Sequence, residues 1–214
     1  MIPPILVGIT GGSGSGKSWL ARAIRTRFGE KQVTHIELDW YYRDLSHLDP
    51  KEAARTDFDA PEALELDLLQ RHLKALLRGE TVAAPQYAFS SFSRKATTRA
   101  LLPTPIVVIE GLFALHLEEL RDLYQLSVFV DTPADVRLIR RIRRDLEERG
   151  YELERILQFW ERNAIPSFDR FVLPQREFTS YVWESLADKA FVPKFLADLQ
   201  IRLARNATRP TPTR

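Results

Sequence analysis

The sequence predicts an α/β fold, a mainly parallel five-stranded sheet flanked by helices. Three observations predict it. Short apolar runs at Ile5–Ile9, Ile106–Ile109 and Leu126–Val130 are typical of strands buried in a parallel sheet. Helical patterns separate several of the predicted strands, as the crossovers between parallel strands require. A glycine-rich turn also joins the first run directly to a helix, an arrangement that favours phosphate binding at the edge of a sheet.

Composition narrows the class of protein. We expect one domain over residues 1–205, with a hairpin insertion at about 81–105, a lid at about 135–160 and a flexible tail at 206–214. The chain has no cysteine, which excludes disulfides and thiolate metal sites. It has no apolar run long enough to cross a bilayer and no basic leader, so we expect a cytoplasmic enzyme without a membrane partner. A net charge of +2 does not by itself indicate nucleic acid.

The glycine-rich turn carries the clearest chemical signal. It fits the phosphate-loop pattern G-x-x-x-x-G-K-[ST] with the residues Gly11, Gly12, Ser13, Gly14, Ser15, Gly16, Lys17 and Ser18. Glycines let backbone N–H groups surround phosphate oxygens, the lysine adds a positive charge, and the serine hydroxyl can hold Mg²⁺. The alternative is a turn that binds nothing, but the order strand, loop, Lys-Ser and helix favours a nucleoside triphosphate. We expect ATP and Mg²⁺ as the cofactors.

Three carboxylates follow or accompany the predicted strands. Asp39 comes after a second strand at Val33–Leu38, where residues face the ligand crevice of a parallel sheet, although a turn or cap could also explain it. Asp59 reads as the N-cap of a helix that starts near Pro61 and runs to about residue 78. Glu110 follows the strand Ile106–Ile109 and matches the second metal-associated position of phosphate-loop enzymes.

The lid helix, residues 135–149, is rich in arginine. Leu138, Ile142 and Leu146 form an apolar stripe that we expect to hold this helix to the body of the protein. Arg137, Arg141 and Arg144 share the opposite face and would repel each other without anions between them, which favours phosphate over a solvated face or nucleic acid. The hairpin insertion could form a wall of a substrate pocket or a structural flap.

Together these segments resemble the uridine kinase (uridine–cytidine kinase) family of phosphate-loop kinases, related to phosphoribulokinase. The resemblance covers roughly Ile5–Val182 and rests on the segments GITGGSGSGKS, LDWYYRDL, DFDAPEAL, VVIEGLFAL and RLIRRIRRDLEERG. It implies the sheet order 2-3-1-4-5, counting sheet strands along the chain. It also implies that Asp39 is the catalytic base, that Tyr42 neighbours the nucleoside and that Asp59 contacts the ribose hydroxyls.

The same resemblance assigns the remaining site residues. Lys17 and Arg144 would act with Asp39 in catalysis, Arg141, Arg144 and Arg149 would contact phosphate, and Ser18 and Glu110 would hold Mg²⁺ directly or through water. In the hairpin the family reads Tyr-Asp-Phe-x-x-His-x-Arg, and this chain has Tyr87 and Phe89 but places Ala88 and Phe92 at the Asp and His positions. Where the family has a Gln that reads the base, this chain has Phe159. Where the family has an Arg just after the lid glycine, this chain has Tyr151.

These departures keep three functions open. The first is phosphorylation of the 5′-hydroxyl of a pyrimidine ribonucleoside, with Tyr42, Asp59, Tyr87, Phe92, Arg144 and Phe159 around the acceptor. The second is a kinase for another alcohol, such as a pantothenate-like, sugar-phosphate or vitamin-nucleoside acceptor. The third is a catalytically silent nucleotide sensor. The partner is a small molecule in each case, and a homo-oligomer remains open because the sequence shows no assignable interface.

Overall fold

The structure, a computed structural model, describes residues 4–207. Over these residues the strands are β1 (Ile5–Thr10), β2 (Val33–Glu37), β3 (Val82–Ala84), β4 (Tyr87–Ala88), β5 (Ser93–Arg94), β6 (Arg99–Leu101), β7 (Ile106–Glu110), β8 (Leu126–Asp131) and β9 (Tyr181–Glu184). Five of them form one all-parallel sheet in the order β2-β7-β1-β8-β9. This is the order 2-3-1-4-5 when the sheet strands are counted along the chain, so the predicted topology is confirmed.

Helices cover both faces of the sheet. The α-helices of the described residues are α1 (Lys17–Phe28), α2 (Pro50–Ala53), α3 (Leu66–Leu77), α4 (Glu118–Arg121), α5 (Ala134–Glu147), α6 (Leu153–Phe159), α7 (Ile165–Ser167) and α8 (Phe191–Ala207). Short 3₁₀ helices lie at Leu38–Tyr41, Pro61–Ala63 and Leu173–Phe178, and π-helical turns lie at Trp160–Ala164 and Phe168–Val172. No helix within residues 4–207 combines the length and apolarity needed to cross a membrane.

Two apolar clusters hold the layers together. On one face, α1 and α8 pack on the sheet through residues such as Leu20, Ile24 and Phe195, which are at most 1% exposed. On the other face, α3 packs through Leu69, Leu73 and Leu76. Because β1, β7 and β8 are buried on both faces, their continuous apolar sequences are the ones that predicted a parallel sheet.

The predicted insertion between β2 and β7 consists of two antiparallel pairs. Strand β3 pairs with β6, and β4 pairs with β5 in the register Tyr87 with Arg94 and Ala88 with Ser93. The turn between β4 and β5 contains Phe92, whose φ of +51° lies in the left-handed region that a bulky residue rarely adopts.

Two local predictions were wrong. The helix expected from Pro61 is a 3₁₀ turn that breaks at Leu64 before α3 begins at Leu66, so Asp59 does not cap α3. Helix α8 extends to Ala207, so residues 206–207 of the expected tail are helical, and residues 208–214 lie outside the described part.

The orientation of α5 also differs from the expectation. The side facing the body carries Arg137, Arg141 and Asp145, which are 1–6% exposed. Of the apolar stripe, Leu138 and Ile142 are half-buried and Leu146 is 44% exposed. The surface under α5 is a polar cleft rather than an apolar core, so the charged side of the helix faces inward and the apolar stripe is only partly buried.

Candidate active site

The phosphate loop connects β1 to α1 at the carboxyl edge of the sheet. Gly11, Gly14 and Gly16 adopt φ values of +143°, +76° and +106°, which residues with a Cβ rarely adopt. A Cβ at Gly11 would also lie 2.6 Å from the carbonyl oxygen of Val130. Backbone geometry therefore requires glycine at these positions, and it leaves the start of α1 facing the cleft without a capping side chain.

Lys17 lies in the first turn of α1. Its Nζ donates a hydrogen bond to the carbonyl oxygen of Gly12 at 2.9 Å, and the residue is 8% exposed. Burial lowers the pKa of Lys17, while the nearby carboxylates of Glu110 and Asp39 oppose that shift. The ammonium group is thus held over the loop, where an incoming phosphate would supply the anion that it lacks.

Glu110 ends β7 and lies 5% exposed beside the loop. Burial raises the pKa of Glu110 to about 7, against the opposing effects of Lys17 and of a hydrogen bond with Ser18. The nearest histidine, His35, places Nε2 3.9 Å from Oε1 of Glu110. Burial lowers the pKa of His35 to about 4, so the imidazole is neutral at pH 7 and the contact is not an ion pair.

The Ser18 and Glu110 side chains form a sparse oxygen donor set. Within residues 4–207 there is no group of three or more His, Cys, Asp or Glu residues that could hold a metal alone. A hydroxyl and a single carboxylate suit Mg²⁺, which keeps several waters and is commonly bound together with substrate phosphates. The residues present therefore fit the predicted ion.

Asp39 lies in the 3₁₀ helix that follows β2, with 41% of its side chain exposed to the cleft. Arg149, beyond the end of α5, places Nη2 3.6 Å from Oδ2 of Asp39. The same guanidinium lies 3.7 Å from the ring centroid of Phe89 in the hairpin insertion. One lid arginine thus joins the predicted base, the hairpin and the lid.

Asp59 pairs with an arginine of the lid and does not cap a helix. Both of its carboxylate oxygens accept hydrogen bonds from Nη1 of Arg141, at 2.9 and 3.2 Å, and both side chains are less than 10% exposed. A buried, hydrogen-bonded pair of this kind is far more costly to break than a surface ion pair. It fixes the middle of α5 over the cleft.

Asp145 is a central residue of the lid that sequence reasoning missed. Its carboxylate is 2.8 Å from Arg144 and 3.4 Å from each of Arg141 and Arg149, and the residue is 1% exposed. Protein carboxylates therefore lie between the arginines, where the sequence favoured phosphate. The sequence does contain a signal for these contacts, because Asp145 is four residues from both Arg141 and Arg149 and so shares one helical face with them.

The base of α5 packs directly on the phosphate loop, a contact that the sequence did not reveal. Nη1 of Arg140 donates to the carbonyl oxygens of Gly14 and Ser15, at 3.2 and 3.3 Å. A Cβ at Gly12 would lie 2.4 Å from Nη1 of Arg137, and one at Gly14 would lie 2.5 Å from the backbone oxygen of Arg137. Two of the loop glycines are therefore in contact with the lid.

Aromatic residues occupy the far end of the cleft. The Tyr42 hydroxyl donates to the carbonyl oxygen of Phe58 at 2.8 Å, and its ring contacts those of Phe58, Tyr87 and Phe89. The Tyr87 hydroxyl is buried and has no hydrogen-bond partner among the described residues. Phe92 stacks on Phe58 with a centroid distance of 5.8 Å, so it supports the wall rather than lining the cleft.

The cleft has a volume of about 730 Å³ and brings together most of the predicted site. Its lining includes Ser13, Gly14, Gly16, Lys17, Ser18, Asp39, Tyr42, Asp59, Tyr87, Glu110, Arg141, Arg144 and Arg149. The predicted residues outside this lining are Gly11, Gly12, Ser15, Phe92 and Phe159. Of these, Phe159 lines a smaller cavity next to the cleft.

We call this smaller space, of about 30 Å³, the aromatic cavity. Its apolar and aromatic lining is Phe58, Phe89, Tyr151, Ile156 and Phe159. Its charged lining is Arg141, Asp145, Arg149 and Arg155. It shares Phe58, Phe89, Arg141 and Arg149 with the main cleft, so the two spaces meet where Arg141 binds Asp59.

The fold and this cleft define a class of protein. A phosphate loop, an arginine-rich lid and a carboxylate that faces the loop are the parts of an enzyme that moves a phosphoryl group from a nucleoside triphosphate to an alcohol. The chain is a phosphotransferase of the phosphate-loop kinase class.

Comparison with known proteins gives the family. The pattern of the Phosphoribulokinase / Uridine kinase family matches residues 6–191, and the chain belongs to this family. A uridine kinase of Alkaliphilus metalliredigens is 43% identical over 179 residues, 84% of this chain and 86% of the relative. A uridine kinase of Vibrio parahaemolyticus is 39% identical over 182 residues, 83% and 85% of the two chains.

Solved structures confirm the fold at low sequence identity. Phosphoribulokinase from Rhodobacter spheroides superposes with a TM-score of 0.62 at 21% identity, covering 84% of this chain and 69% of that one. A possible uridine kinase from Bacillus stearothermophilus gives 0.61 at 17% identity, covering 86% and 90%.

Proposed function

We propose that this enzyme transfers the γ-phosphate of ATP to the 5′-hydroxyl of a pyrimidine ribonucleoside. The observation that carries the proposal is that Lys17 of the phosphate loop, the Asp39 carboxylate and the Asp59–Arg141 pair share one cleft. The names of relatives about 40% identical over most of the chain support the same acceptor.

The acceptor end of the cleft suits a ribose. A carboxylate accepts hydrogen bonds from two neighbouring hydroxyls, and Asp59 is held by Arg141 in a fixed position for that role. Asp39 is partly exposed to the cleft and close enough to Lys17 to act on its charge, so it would take the proton from the attacking 5′-hydroxyl. Tyr42 holds Phe58 in the wall against which the base would pack.

The other end of the cleft suits the triphosphate. The loop N–H groups and Lys17 would bind the β- and γ-phosphates, and Arg144, with its side chain 30% exposed, would balance charge on the transferring group. Ser18 and Glu110 would hold Mg²⁺, which would neutralise phosphate charge when bound. Arg141 lies too close to Asp59 to be assigned to phosphate alone.

The test is a panel of acceptors with Mg·ATP, followed by ADP release and by the mass of the product. The panel contains uridine, cytidine, purine nucleosides, pantothenate and simple sugar alcohols. We expect a 5′-monophosphate from uridine. Turnover confined to pantothenate or a sugar alcohol would contradict the proposal and favour another alcohol kinase, and ATP binding without any turnover would favour the sensor.

A further inference from the structure

His35 lies in the middle of β2, on the face of the sheet that α1 covers. Strands β2 and β7 run parallel, with His35 beside Val108 and Glu37 beside Glu110. Residues two apart on a strand share a face, so the side chains of His35 and Glu110 lie on the same side of the sheet. Val108 belongs to the apolar cluster under α1, which places His35 under that helix as well. The side chains of His35 and Glu110 are 10% and 6% exposed.

One nitrogen of the His35 ring faces the Glu110 carboxylate. Nε2 of His35 is buried and has no hydrogen-bond partner among residues 4–207. It lies 3.9 Å from Oε1 of Glu110, and a shift of about 1 Å would bring the two atoms to hydrogen-bond distance. A buried donor without a partner is costly, and an ionised carboxylate is an acceptor. Nε2 is therefore in a position to donate to Glu110.

The donor role requires a hydrogen on Nε2. A neutral imidazole carries one N–H, and a facing carboxylate favours the tautomer with that hydrogen on the nearer nitrogen. An imidazolium would donate from the same atom, so the role does not depend on the protonation state of the ring. The Trp40 ring packs beside the imidazole, with a centroid distance of 6.5 Å. His35 is thus enclosed next to Glu110 by its own strand and by the turn that follows it.

Two other donors near Glu110 have further tasks. Nζ of Lys17 donates to the carbonyl oxygen of Gly12 and faces the site proposed for phosphate. The Ser18 hydroxyl, which forms a hydrogen bond with Glu110, is also a proposed ligand of Mg²⁺. His35 is the neighbouring donor whose facing atom has no other partner among the described residues. Carboxylates that hold a metal are commonly fixed by hydrogen bonds of their own, and His35 can supply one.

We propose that His35 is a positioning residue, which donates from Nε2 to the Glu110 carboxylate and orients it toward the metal site beside the phosphate loop. The proposal rests on the metal role given to Glu110 in the proposed function. It is independent of which alcohol accepts the phosphoryl group. Loss of the donor should weaken the metal-dependent part of nucleotide binding and leave metal-free binding unchanged.

The experiment measures by calorimetry the dissociation constant for the unreactive analogue adenylyl imidodiphosphate, in EDTA and in Mn²⁺. The ratio of the two constants is the gain in affinity that the metal provides, and it requires no turnover. His35→Val removes the donor and suits a strand. It should lower the ratio about tenfold, with the constant in EDTA unchanged. His35→Gln should keep most of the wild-type ratio, because its amide nitrogen can reach the position of Nε2.

Thr34→Val is the matched control. Thr34 is buried on the opposite face of β2, where its hydroxyl donates to the carbonyl oxygen of Leu102. The variant disturbs the same strand without removing a group that faces Glu110, so it should keep the wild-type ratio although its stability falls. His35→Asn, whose amide is too short to reach Glu110, replaces His35→Val as the loss variant if the valine protein does not fold.

Glu110→Gln separates this proposal from the one on which it rests. A wild-type ratio in Glu110→Gln would overturn the metal role of Glu110 and the role of His35 with it. A low ratio in Glu110→Gln beside a wild-type ratio in His35→Val would overturn the role of His35 alone. A ratio in His35→Gln as low as that in His35→Val would show that the ring acts through packing, and this result would also overturn the donor role.

Discussion

Two carboxylates of the cleft, Asp39 and Glu110, lie in opposite environments. Asp39 is partly exposed and lies 3.6 Å from Arg149, whereas Glu110 is enclosed and has its pKa raised to about 7 by burial. The exposed carboxylate can meet an acceptor hydroxyl, and the buried one can become an anion when a metal ion arrives. Strands β2 and β7, which lead to Asp39 and Glu110, are neighbours in the sheet. The two carboxylates therefore differ in how deeply each is buried, not in which part of the sheet holds them.

Substitution of Asp39 tests its assignment as the base. Asp39→Asn keeps the size of the side chain but cannot accept the proton, so kcat should fall at least about 100-fold. The dissociation constant for ATP, measured by calorimetry, should remain nearly unchanged because Asp39 does not bind the loop. Asp122→Asn, at an exposed position directly after α4, is the control. Retained turnover in Asp39→Asn would remove Asp39 from this role.

Glu110 and His35 should give opposite pH dependences of stability in the metal-free protein. Burial raises the pKa of Glu110 from 4.5 to about 7, so its contribution to the free energy of unfolding is present below pH 4.5 and is lost as pH rises to 7. Burial lowers the pKa of His35 from 6.5 to about 4, so its contribution to the free energy of unfolding is present above pH 6.5 and is lost as pH falls to 4. In the wild type the two slopes of unfolding free energy against pH have opposite signs and largely cancel between pH 5 and 6.

Single variants separate the two slopes. Relative to wild type, the unfolding free energy of Glu110→Gln should rise with pH, and that of His35→Gln should fall, each by about 1 kcal/mol per pH unit. Urea denaturation in EDTA at pH 5, 5.5 and 6 measures both. Slopes that match the wild type in both variants would contradict the assigned burial effects.

At the scale of elements, α5 is the helix that the sequence described least well. Its apolar residues repeat at helical spacing, which normally indicates the buried side. The buried side instead carries Arg137, Arg141 and Asp145, because the partner carboxylate Asp59 and the phosphate loop lie beneath it. Hydrophobic periodicity assumes an apolar partner surface, and the nature of that surface is set by tertiary contacts that a sequence pattern does not contain.

Truncation of the apolar stripe tests this orientation. Leu146 is 44% exposed, so Leu146→Ala should lower the unfolding free energy by less than about 1 kcal/mol. Leu73 in α3 is 0% exposed, and Leu73→Ala should cost about 2–5 kcal/mol. Urea denaturation of both variants gives the comparison. Equal costs would show that α5 is held by its leucines, as the sequence alone suggested.

At the scale of the whole molecule, the positions of the core strands along the chain and of the loop could be predicted because they depend on local signals, whereas the order of the strands in the sheet came from the family resemblance. The runs that became β1, β7 and β8 are continuous and apolar, and the loop pattern has a fixed spacing. The contacts of Asp59 with Arg141 span 82 residues and have no local signal. The resemblance suggested a role for each residue, but not that the two side chains bind each other.

Binding of Mg·ATP should stabilise the whole molecule. At about 100 times the dissociation constant, the unfolding free energy should rise by about 2.7 kcal/mol. Lys17→Met should remove most of this gain, because it removes the charge over the loop, whereas Lys189→Met at an exposed site should retain it. Urea denaturation with and without Mg·ATP measures the gain. A full gain in Lys17→Met would show that the nucleotide binds elsewhere.

The contact between Gly14 and the backbone of Arg137 limits how such enzymes can be recombined. A Cβ at Gly14 would lie 2.5 Å from the backbone oxygen of Arg137, and the guanidinium of Arg137 covers Gly12. The phosphate loop and the first turns of α5 therefore pack tightly against each other, although they are far apart in the chain. A chimera that takes its lid from one relative and its loop from another should lose stability unless both sides of this contact come from the same parent.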